Sequence, residues 1–135
     1  MSNVVSFIAP SAAEYVSLRL RSGMGIKKES VAQVALDHTL FIVNIRLHGE
    51  LIGLGRVVGD GGISYVVTDI MVDERYHRQG LGYLIMEHIN TFLTTTTDED
   101  AYIILMAKKP ADKLYEKFHF VSGEPSSTGM IYKRK

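Results

Sequence analysis

The sequence predicts an α/β domain built on a mixed, mostly antiparallel sheet. The β-forming runs 40–47 and 50–58 are separated only by His48-Gly49, and a two-residue connection containing glycine is typical of a β-hairpin. The run 65–72 is followed by a glycine-containing turn, an amphipathic stretch and a second apolar run, 101–107. That order predicts a strand–helix–strand unit after the antiparallel strands.

The glycines of the antiparallel part predict its second turn and one point where the backbone is closely approached. Residues 59–62 read Gly-Asp-Gly-Gly, which predicts a hairpin turn leading into the strand 65–72. Gly53 and Gly55 lie inside the predicted strand 50–58. Because glycine weakens a strand, its presence there indicates that another part of the molecule approaches the backbone closely.

The N-terminal residues predict one short strand and two helices. Val4–Ile8 is β-forming and is ended by Pro10. Ser11 has Glu14 three residues later, the spacing of a capping box, and the helix that follows should end near Ser22-Gly23. A second short helix is expected from residue 28 to about residue 36.

The C-terminal third predicts two further strands beyond a helix. The run 101–107 is continuously apolar, which is typical of a strand buried on both faces. Pro110 should open a helix over residues 111–118. Short strands are then expected at 119–121 and at 130–132.

Composition limits the classes of protein to which the chain can belong. The 135 residues are enough for one domain, residues 1–135. Lys+Arg and Asp+Glu both number 15, so the formal net charge is zero, which argues against nucleic acid or an anionic membrane as the main partner.

No apolar run approaches the ~20 residues needed to span a bilayer, and we see no signal peptide. The cysteine count is zero, which excludes a thiol nucleophile and is compatible with a cytoplasmic protein. The five histidines form no close ligand pair in sequence, so no metal site is expected.

A phosphate site is predicted where the run 65–72 meets the amphipathic stretch 83–93. Between them lies Arg78-Gln79-Gly80-Leu81-Gly82. The first turn of a helix leaves N–H groups free, the helix dipole adds partial positive charge, and glycines admit an anion close to the backbone. The site is not a P-loop, because no Gly-Lys-Ser/Thr follows. It is not a dinucleotide fingerprint either, because Ile85 occupies the place of the third glycine.

The run 72–84 resembles motif A of the GNAT acyltransferases, which hold the pyrophosphate of acetyl-CoA. The family pattern is Gln/Arg, two free positions, Gly, one free position and Gly/Ala. Here it reads His77-Arg78-Gln79-Gly80-Leu81-Gly82, so His77 departs from the pattern while the backbone site is kept.

A second stretch, 114–120, resembles motif B of the same family. It reads Leu-Tyr-Glu-Lys-Phe-His-Phe, with His119 in the place of a glycine, which leaves the geometry of the following turn open. Lys108 stands where many relatives have asparagine. The stretch 53–62 is similar to a bacterial-type branch that acts mainly on small amines. The resemblance implies a single-domain GNAT fold with helices on both faces of the sheet.

The resemblance implies an acetyl-CoA-dependent N-acetyltransferase. The acceptor would be a primary amine of a small molecule, namely an amino acid, an aryl-alkylamine or a polyamine, attacking the thioester directly without an acyl-enzyme. A protein lysine or N-terminal acetyltransferase is one alternative, and a non-catalytic acyl-CoA-binding module is another. A homodimer is an expectation taken from the family.

Two residues are candidates for catalysis. The resemblance places Tyr115 beside the thioester sulfur as the general acid for the leaving thiolate, although it could instead belong to the core. Asp69 lies in an apolar strand. It could act as a base directly or through water, bind the substrate amine, or be a paired structural carboxylate.

The remaining candidates concern binding. Arg19 and Arg21, with Met24 nearby, could bind the acceptor and its carboxylate, or the two arginines could be surface charges. The residues that the resemblance implies for acetyl-CoA belong to the strand end, the glycine turn and the helices beside it: Ile70, Met71, Val72, His77, Arg78, Gln79, Gly80, Leu81, Gly82, Tyr83, Lys108 and Tyr115.

Overall fold

The computed structural model describes residues 3–134. Its five-stranded sheet has the order β1-β2-β3-β4-β5, antiparallel except for the parallel pair β4 and β5. The elements are, in chain order, β1 (Val4–Ser6), α1 (Ala12–Arg21), α2 (Glu29–Asp37), β2 (Phe41–Leu47), β3 (Glu50–Gly59), β4 (Ser64–Val72), a 3₁₀ turn (Glu74–Tyr76), α3 (Leu81–Thr96), β5 (Tyr102–Ile104) and α4 (Asp112–Glu116).

Helices cover both faces of the sheet, as the sequence predicted. On one face, α1 and α2 bury Leu18 and Leu36 against a cluster that includes Ile42 of β2. On the other face, α3 buries Ile85 against a cluster that includes Val43 of β2. Successive residues of a strand point to opposite faces, so Ile42 and Val43 divide between the two cores. The α/β fold class is therefore confirmed.

The predicted capping box fixes the start of α1. The Ser11 hydroxyl accepts a hydrogen bond from the Glu14 N–H at 3.1 Å, and the Glu14 carboxylate accepts one from the Ser11 N–H at 3.1 Å. The same carboxylate accepts a hydrogen bond from Arg46 of β2 at 2.7 Å. That bond lowers the pKa of Glu14 to about 2. One short motif thus starts the helix and ties it to the sheet.

The crowded place predicted at the glycines of β3 lies against α3. A Cβ at Gly55 would come within 2.6 Å of Ile85, so only glycine lets the helix approach this closely. The register of β3 and β4 shifts here, because Leu54 pairs with Met71 while Arg56 pairs with Thr68. The extra residue is a β-bulge. It turns Asp69 into the left-handed region, with φ +56°.

Strands β4 and β5 diverge after a short paired stretch. Their register ends at Val66 and Ile104, whereas β4 continues to Val72. Within the described residues, no strand pairs with this side of β4 from residue 67 to residue 72. We call the place where β4 and β5 part the β4–β5 gap.

The C-terminal expectations are wrong in three respects. The predicted strand 101–107 is limited to Tyr102–Ile104 and is not buried on both faces, since Tyr102 is 64% exposed. The predicted helix 111–118 is limited to Asp112–Glu116. Among the described residues, no strand forms at 119–121 or at 130–132. A strand exists only where it is paired, and local β propensity supplies no pairing partner.

Two expectations from the sequence concern membrane-spanning helices and metal sites. Within residues 3–134, no helix is long and apolar enough to cross a membrane. Over the same range, no group of three or more His, Asp or Glu side chains is placed to hold a metal ion.

Candidate active site

The N-terminus of α3 is open to an anion. Gly80 is its N-cap, with φ +80°, and the Leu84 N–H donates to the Gly80 carbonyl at 3.0 Å. The N–H groups of Leu81, Gly82 and Tyr83 precede the helical hydrogen bonds. No side chain caps them and no acidic residue lies in the first turn, as far as the described residues show. The partial positive charge of a sixteen-residue helix is therefore left for a ligand.

The loop that leads into α3 is held by a buried carboxylate. Asp73 is 1% exposed, accepts a hydrogen bond from the Arg75 N–H at 2.9 Å, and forms ion pairs with Arg75 and Arg21. The Arg75 side chain is the main reason that the pKa of Asp73 lies far below its usual range. Because Arg21 belongs to α1, this carboxylate joins α1 to the loop that precedes α3.

His77 closes the same loop from the other side. Its Nε2 lies 2.8 Å from the Val72 carbonyl oxygen. A carbonyl can only accept, so Nε2 carries the hydrogen. The ring thus binds the end of β4. Arg78 and Gln79, which follow it, are exposed, and Arg78 has φ +65°.

The two glycines of the motif act differently. A Cβ at Gly80 would touch nothing within 4 Å, so this glycine is required by its left-handed backbone. A Cβ at Gly82 would lie 3.3 Å from the Leu114 side chain. Gly82 therefore lets α4 pack closely on α3, which brings the helix that carries Tyr115 to the N-terminus of α3.

Tyr115 is half-buried on α4 and keeps its proton. Burial raises the pKa of its hydroxyl above the ordinary value. The carbonyl of Tyr115 accepts hydrogen bonds from the N–H groups of Phe118 and Phe120, at 2.9 and 3.3 Å. His119 between them has φ +74°. The histidine thus makes a left-handed turn, a conformation that glycine adopts readily, and the question left open by the sequence is answered.

Asp69 is held by three donors. Arg19 Nη1 lies 3.2 Å from Oδ1, Arg56 Nε lies 2.8 Å from Oδ2, and the Tyr15 hydroxyl donates to Oδ2. The Asp69 side chain is only 7% exposed. Of the alternatives that the sequence left open, this geometry favours the paired structural carboxylate. Burial, and next the contact with Asp69, raise the pKa of Tyr15.

The two arginines of α1 are also engaged. Arg19 is 8% exposed and donates to the carbonyls of Met24 at 2.8 Å and Gly25 at 3.3 Å, so it fixes the loop after α1. Arg21 donates to the Leu51 carbonyl at 3.1 Å as well as to Asp73. Their guanidinium groups join elements of the fold. A role in binding a substrate carboxylate gains no support from this arrangement.

The comparisons with known proteins agree with this geometry. The sequence model described as the acetyltransferase (GNAT) domain matches residues 36–122. The chain belongs to the GNAT family. A crystal structure of a probable acetyltransferase from meticillin-resistant Staphylococcus aureus is 41% identical, with a TM-score of 0.92 over 98% of this chain and 100% of that chain. A GNAT family acetyltransferase from Streptococcus pneumoniae is 26% identical, with a TM-score of 0.79 over 99% of each chain.

A plant GNAT protein is related over part of its length. GCN5-related N-acetyltransferase 1, chloroplastic, from Arabidopsis thaliana is 29% identical over 105 residues. These residues cover 76% of this chain and 52% of the plant protein. The chain therefore matches about half of that relative.

The remaining positions predicted for this GNAT site fall into two groups. Met71 is 1% exposed and Leu81 is 5% exposed, so their side chains belong to the two cores and only their backbone can reach a ligand. Ile70 also packs in the core beside α3, and Met24 packs beneath α1.

The second group is exposed. Tyr83 is 44% exposed, with its ring 4.9 Å from that of Phe118. Lys108 is exposed beyond β5.

Sequence reasoning missed three residues of the site. Tyr15, Arg56 and Asp73 were given no role in it. Asp73 could have been found, because a carboxylate directly after a strand is well placed to cap the turn that follows. Arg56 carried a weaker signal, a charge within an otherwise apolar strand. Its pairing with Asp69 depends on the bulge, which the sequence does not show.

Proposed function

We propose that the chain is an N-acetyltransferase that transfers an acetyl group from acetyl-CoA to a primary amine of a small molecule. The observation that carries the proposal is the uncapped N-terminus of α3 beside the β4–β5 gap, with the protonated Tyr115 on the neighbouring helix. The site offers donors for a diphosphate, a free strand edge for an amide-containing arm, and a proton for a leaving thiolate.

The chain's own groups fit acetyl-CoA in two places. The N–H groups of residues 81–83 point to the diphosphate site, and the exposed Arg78 can add a charged contact. The free edge of β4, from residue 67 to residue 72, can pair with the pantetheine amides as a strand would. Because the Val72 carbonyl already accepts from His77, the other backbone groups of this edge are the proposed contacts.

The proposed reaction is a direct attack of the amine on the thioester. A lysine-like amine has a pKa near ~10.4 and must lose a proton before it attacks. Water is the proposed acceptor of that proton, because both oxygens of Asp69 are already bonded. Tyr115 then donates its proton to the departing thiolate. The chain has no cysteine to carry the acyl group, so transfer in one step is the simplest course.

The acceptor is the least determined part of the proposal. Amino acids, aryl-alkylamines and polyamines are the candidates. Because Arg19 and Arg21 are engaged with Asp69 and Asp73, we favour an amine whose recognition does not need these arginines. The cytoplasm is the compartment that we propose, in keeping with the use of acetyl-CoA and with a chain that has no cysteine.

An acetylation assay over a panel of acceptors tests the proposal. The panel contains amino acids, their decarboxylated amines, polyamines and lysine-containing peptides, and mass spectrometry detects the acetylated product. We expect turnover of a small amine. We also expect the chain to bind acetyl-CoA more tightly than acetate alone. Turnover of peptides alone would point to a protein acetyltransferase. Binding of acetyl-CoA without turnover of any acceptor would point to an acyl-CoA-binding module.

A further inference from the structure

Lys108 follows β5 at the border of the β4–β5 gap. It is exposed, and the ion pairs within residues 3–134 use only arginines, so its amine is in none of them. The Lys108 carbonyl accepts a hydrogen bond from the Ala111 N–H at 2.7 Å, which starts the turn into α4. The same helix carries Tyr115. An unpaired nucleophile therefore lies between β5 and the helix of the proposed proton donor.

The register of the two strands gives the level of Lys108 along the gap. Ile104 is the partner of Val66 in the parallel pair. Four more residues on each chain bring Lys108 level with Ile70, next to the bulge at Asp69. An acetyl-CoA molecule whose diphosphate binds at the N-terminus of α3 would lay its arm back along β4 from residue 72 towards residue 67. Its thioester end would then reach the level of Lys108.

The alternation of side chains along the β5 run gives the face on which Lys108 lies. The odd-numbered residues from 101 to 105 pack with the core beside α3, whereas the even-numbered residues from 102 to 106 are exposed. Successive residues point to opposite faces, so Lys108 belongs to the even-numbered set and Lys109 to the other. The face of the even-numbered set is the one on which Arg19 of α1 meets Asp69. Because α3 and α4 occupy the opposite face, an amine can reach the thioester from this one.

We propose that Lys108 is an acetylation site of the chain itself, modified by the acetyl-CoA that binds in the β4–β5 gap. This inference rests on the proposed function. The Lys108 ammonium loses a proton to water, and its nitrogen attacks the thioester carbonyl carbon. The N–C bond forms, the C–S bond breaks, and the nitrogen loses a second proton to water. The thiolate takes the proton of Tyr115, which is replaced from the solvent. The products are acetyl-lysine and CoA.

The same placement limits the modification to one acetyl group on one lysine. A positioned attack within one complex is much faster than a chance encounter in solution, so Lys108 should react ahead of the other exposed lysines. The product is an amide, which is no longer nucleophilic, so the reaction stops after one transfer. Each transfer replaces a cation by a neutral group on the face from which the acceptor amine approaches.

Mass spectrometry of the full chain, incubated with acetyl-CoA and no acceptor, tests the proposal. A gain of one acetyl group is expected, and peptide mapping should place it on Lys108. Its initial rate should exceed that of Lys109 by on the order of a hundredfold. At saturating acetyl-CoA the rate per chain should not depend on protein concentration. Lys108→Arg keeps the charge and should lose the modification, whereas the matched control Lys109→Arg should keep it.

Tyr115→Phe provides a second readout, because it should slow the modification of Lys108 if the same proton donor serves both acceptors. Acetylation spread evenly over the exposed lysines, or a rate that rises with protein concentration, would overturn the proposal. Calorimetry with acetyl-CoA separates the two ways in which it can fail. Binding without modification of Lys108 would refute the self-acetylation and leave the proposed function to the acceptor panel. Absence of binding would refute both.

Discussion

The two sides of the candidate site differ in what their polar groups are free to do. On the α1 side, Asp69, Arg19 and Arg56 bind one another in a nearly buried cluster. On the α3 side, the N–H groups of the first helical turn have no side-chain cap among the described residues. Within the same part of the chain, the hydroxyl of Tyr115 makes no hydrogen bond. The charged cluster holds the fold together, while the unpaired groups are those available to a ligand.

The difference has a simple energetic reason. A buried charge is tolerated only when it is paired, so charged side chains in a core form ion pairs with one another. Helix N-terminal N–H groups are neutral and can face solvent until an anion replaces the water. A charge within an apolar strand is thus a weaker indicator of catalysis than an uncapped helix beside a glycine turn. The variants below test this comparison, from the largest expected effect to the smallest.

Removing the carboxylate of Asp69 should act on stability. Asp69→Ala leaves Arg19 and Arg56 nearly buried without a counter-ion, which should cost about 3–5 kcal/mol of unfolding free energy, measured by urea denaturation. Asp69→Asn keeps the shape of the side chain and separates the two interpretations. If its folded fraction loses activity by more than about a hundredfold while its stability is unchanged, Asp69 is the base and the structural assignment is wrong.

Removing the hydroxyl of Tyr115 should act on catalysis alone. Tyr115→Phe keeps the ring in the core and should lower kcat by roughly a hundredfold, because the thiolate leaves without a proton donor. Its affinity for acetyl-CoA and its melting temperature should stay close to those of the parent. The loss should shrink with acyl donors whose thiol is more acidic. A parent-like kcat would show that water donates the proton.

Adding a side chain at Gly82 should act on binding. A Cβ there is already tight against Leu114, so Gly82→Val should shift α4 and disturb the adjacent N–H groups. Loss of one charge-assisted hydrogen bond is worth about 1.5–3 kcal/mol, or tenfold or more in the affinity for acetyl-CoA measured by calorimetry. Gly62→Val is a control in the turn before β4, where the nearest side-chain atom is 3.7 Å away. Equal affinities of a folded Gly82→Val protein and the parent would remove the phosphate assignment.

Acid should lower the free energy of unfolding, because it protonates the paired carboxylates that hold α1. The pKa of Glu14 is lowered to about 2 by Arg46, and that of Asp73 is lowered still further, mainly by Arg75. Folded-state pKa values below the unfolded values of ~3.9–4.3 give stability that is present above that range. This stability is lost as the pH falls from about 4.5 towards 2. Urea midpoints measured over this range should fall, and Glu14→Gln should flatten the fall because it removes one of the two groups. A pH dependence unchanged in Glu14→Gln would contradict the assigned pairing.

The smallest effect is expected at the turn after α4. His119 has φ +74°, a conformation that costs an ordinary residue about 1–2 kcal/mol and glycine almost nothing. His119→Gly should therefore raise the stability by about 0.5–1 kcal/mol, after allowing for the greater freedom of glycine in the unfolded chain. His119→Ala keeps the cost and serves as the control. A destabilised glycine variant would mean that the imidazole makes a contact that outweighs the backbone strain.

Local sequence determined most of the helices and strands and the glycine turn before α3. The capping box of Ser11 and Glu14, the hairpin at His48-Gly49 and the glycine turn before α3 all depend on residues close together in the chain. Their geometry is set by backbone conformations that a few residue types prefer, so the sequence alone was enough. The two apolar faces of β2 likewise follow from a simple alternation.

Tertiary structure alone decided the roles of the charged residues and the state of the C-terminal third. The partners of Asp69 lie 13 to 54 positions away in the chain, and they meet it only because a bulge turns its side chain toward α1. The apolar runs 101–107 and 130–132 have strand-forming residues, but a strand needs a neighbour. Whether a neighbour is available depends on how β4 and β5 diverge and on where the chain leaves the sheet, and no local pattern records either.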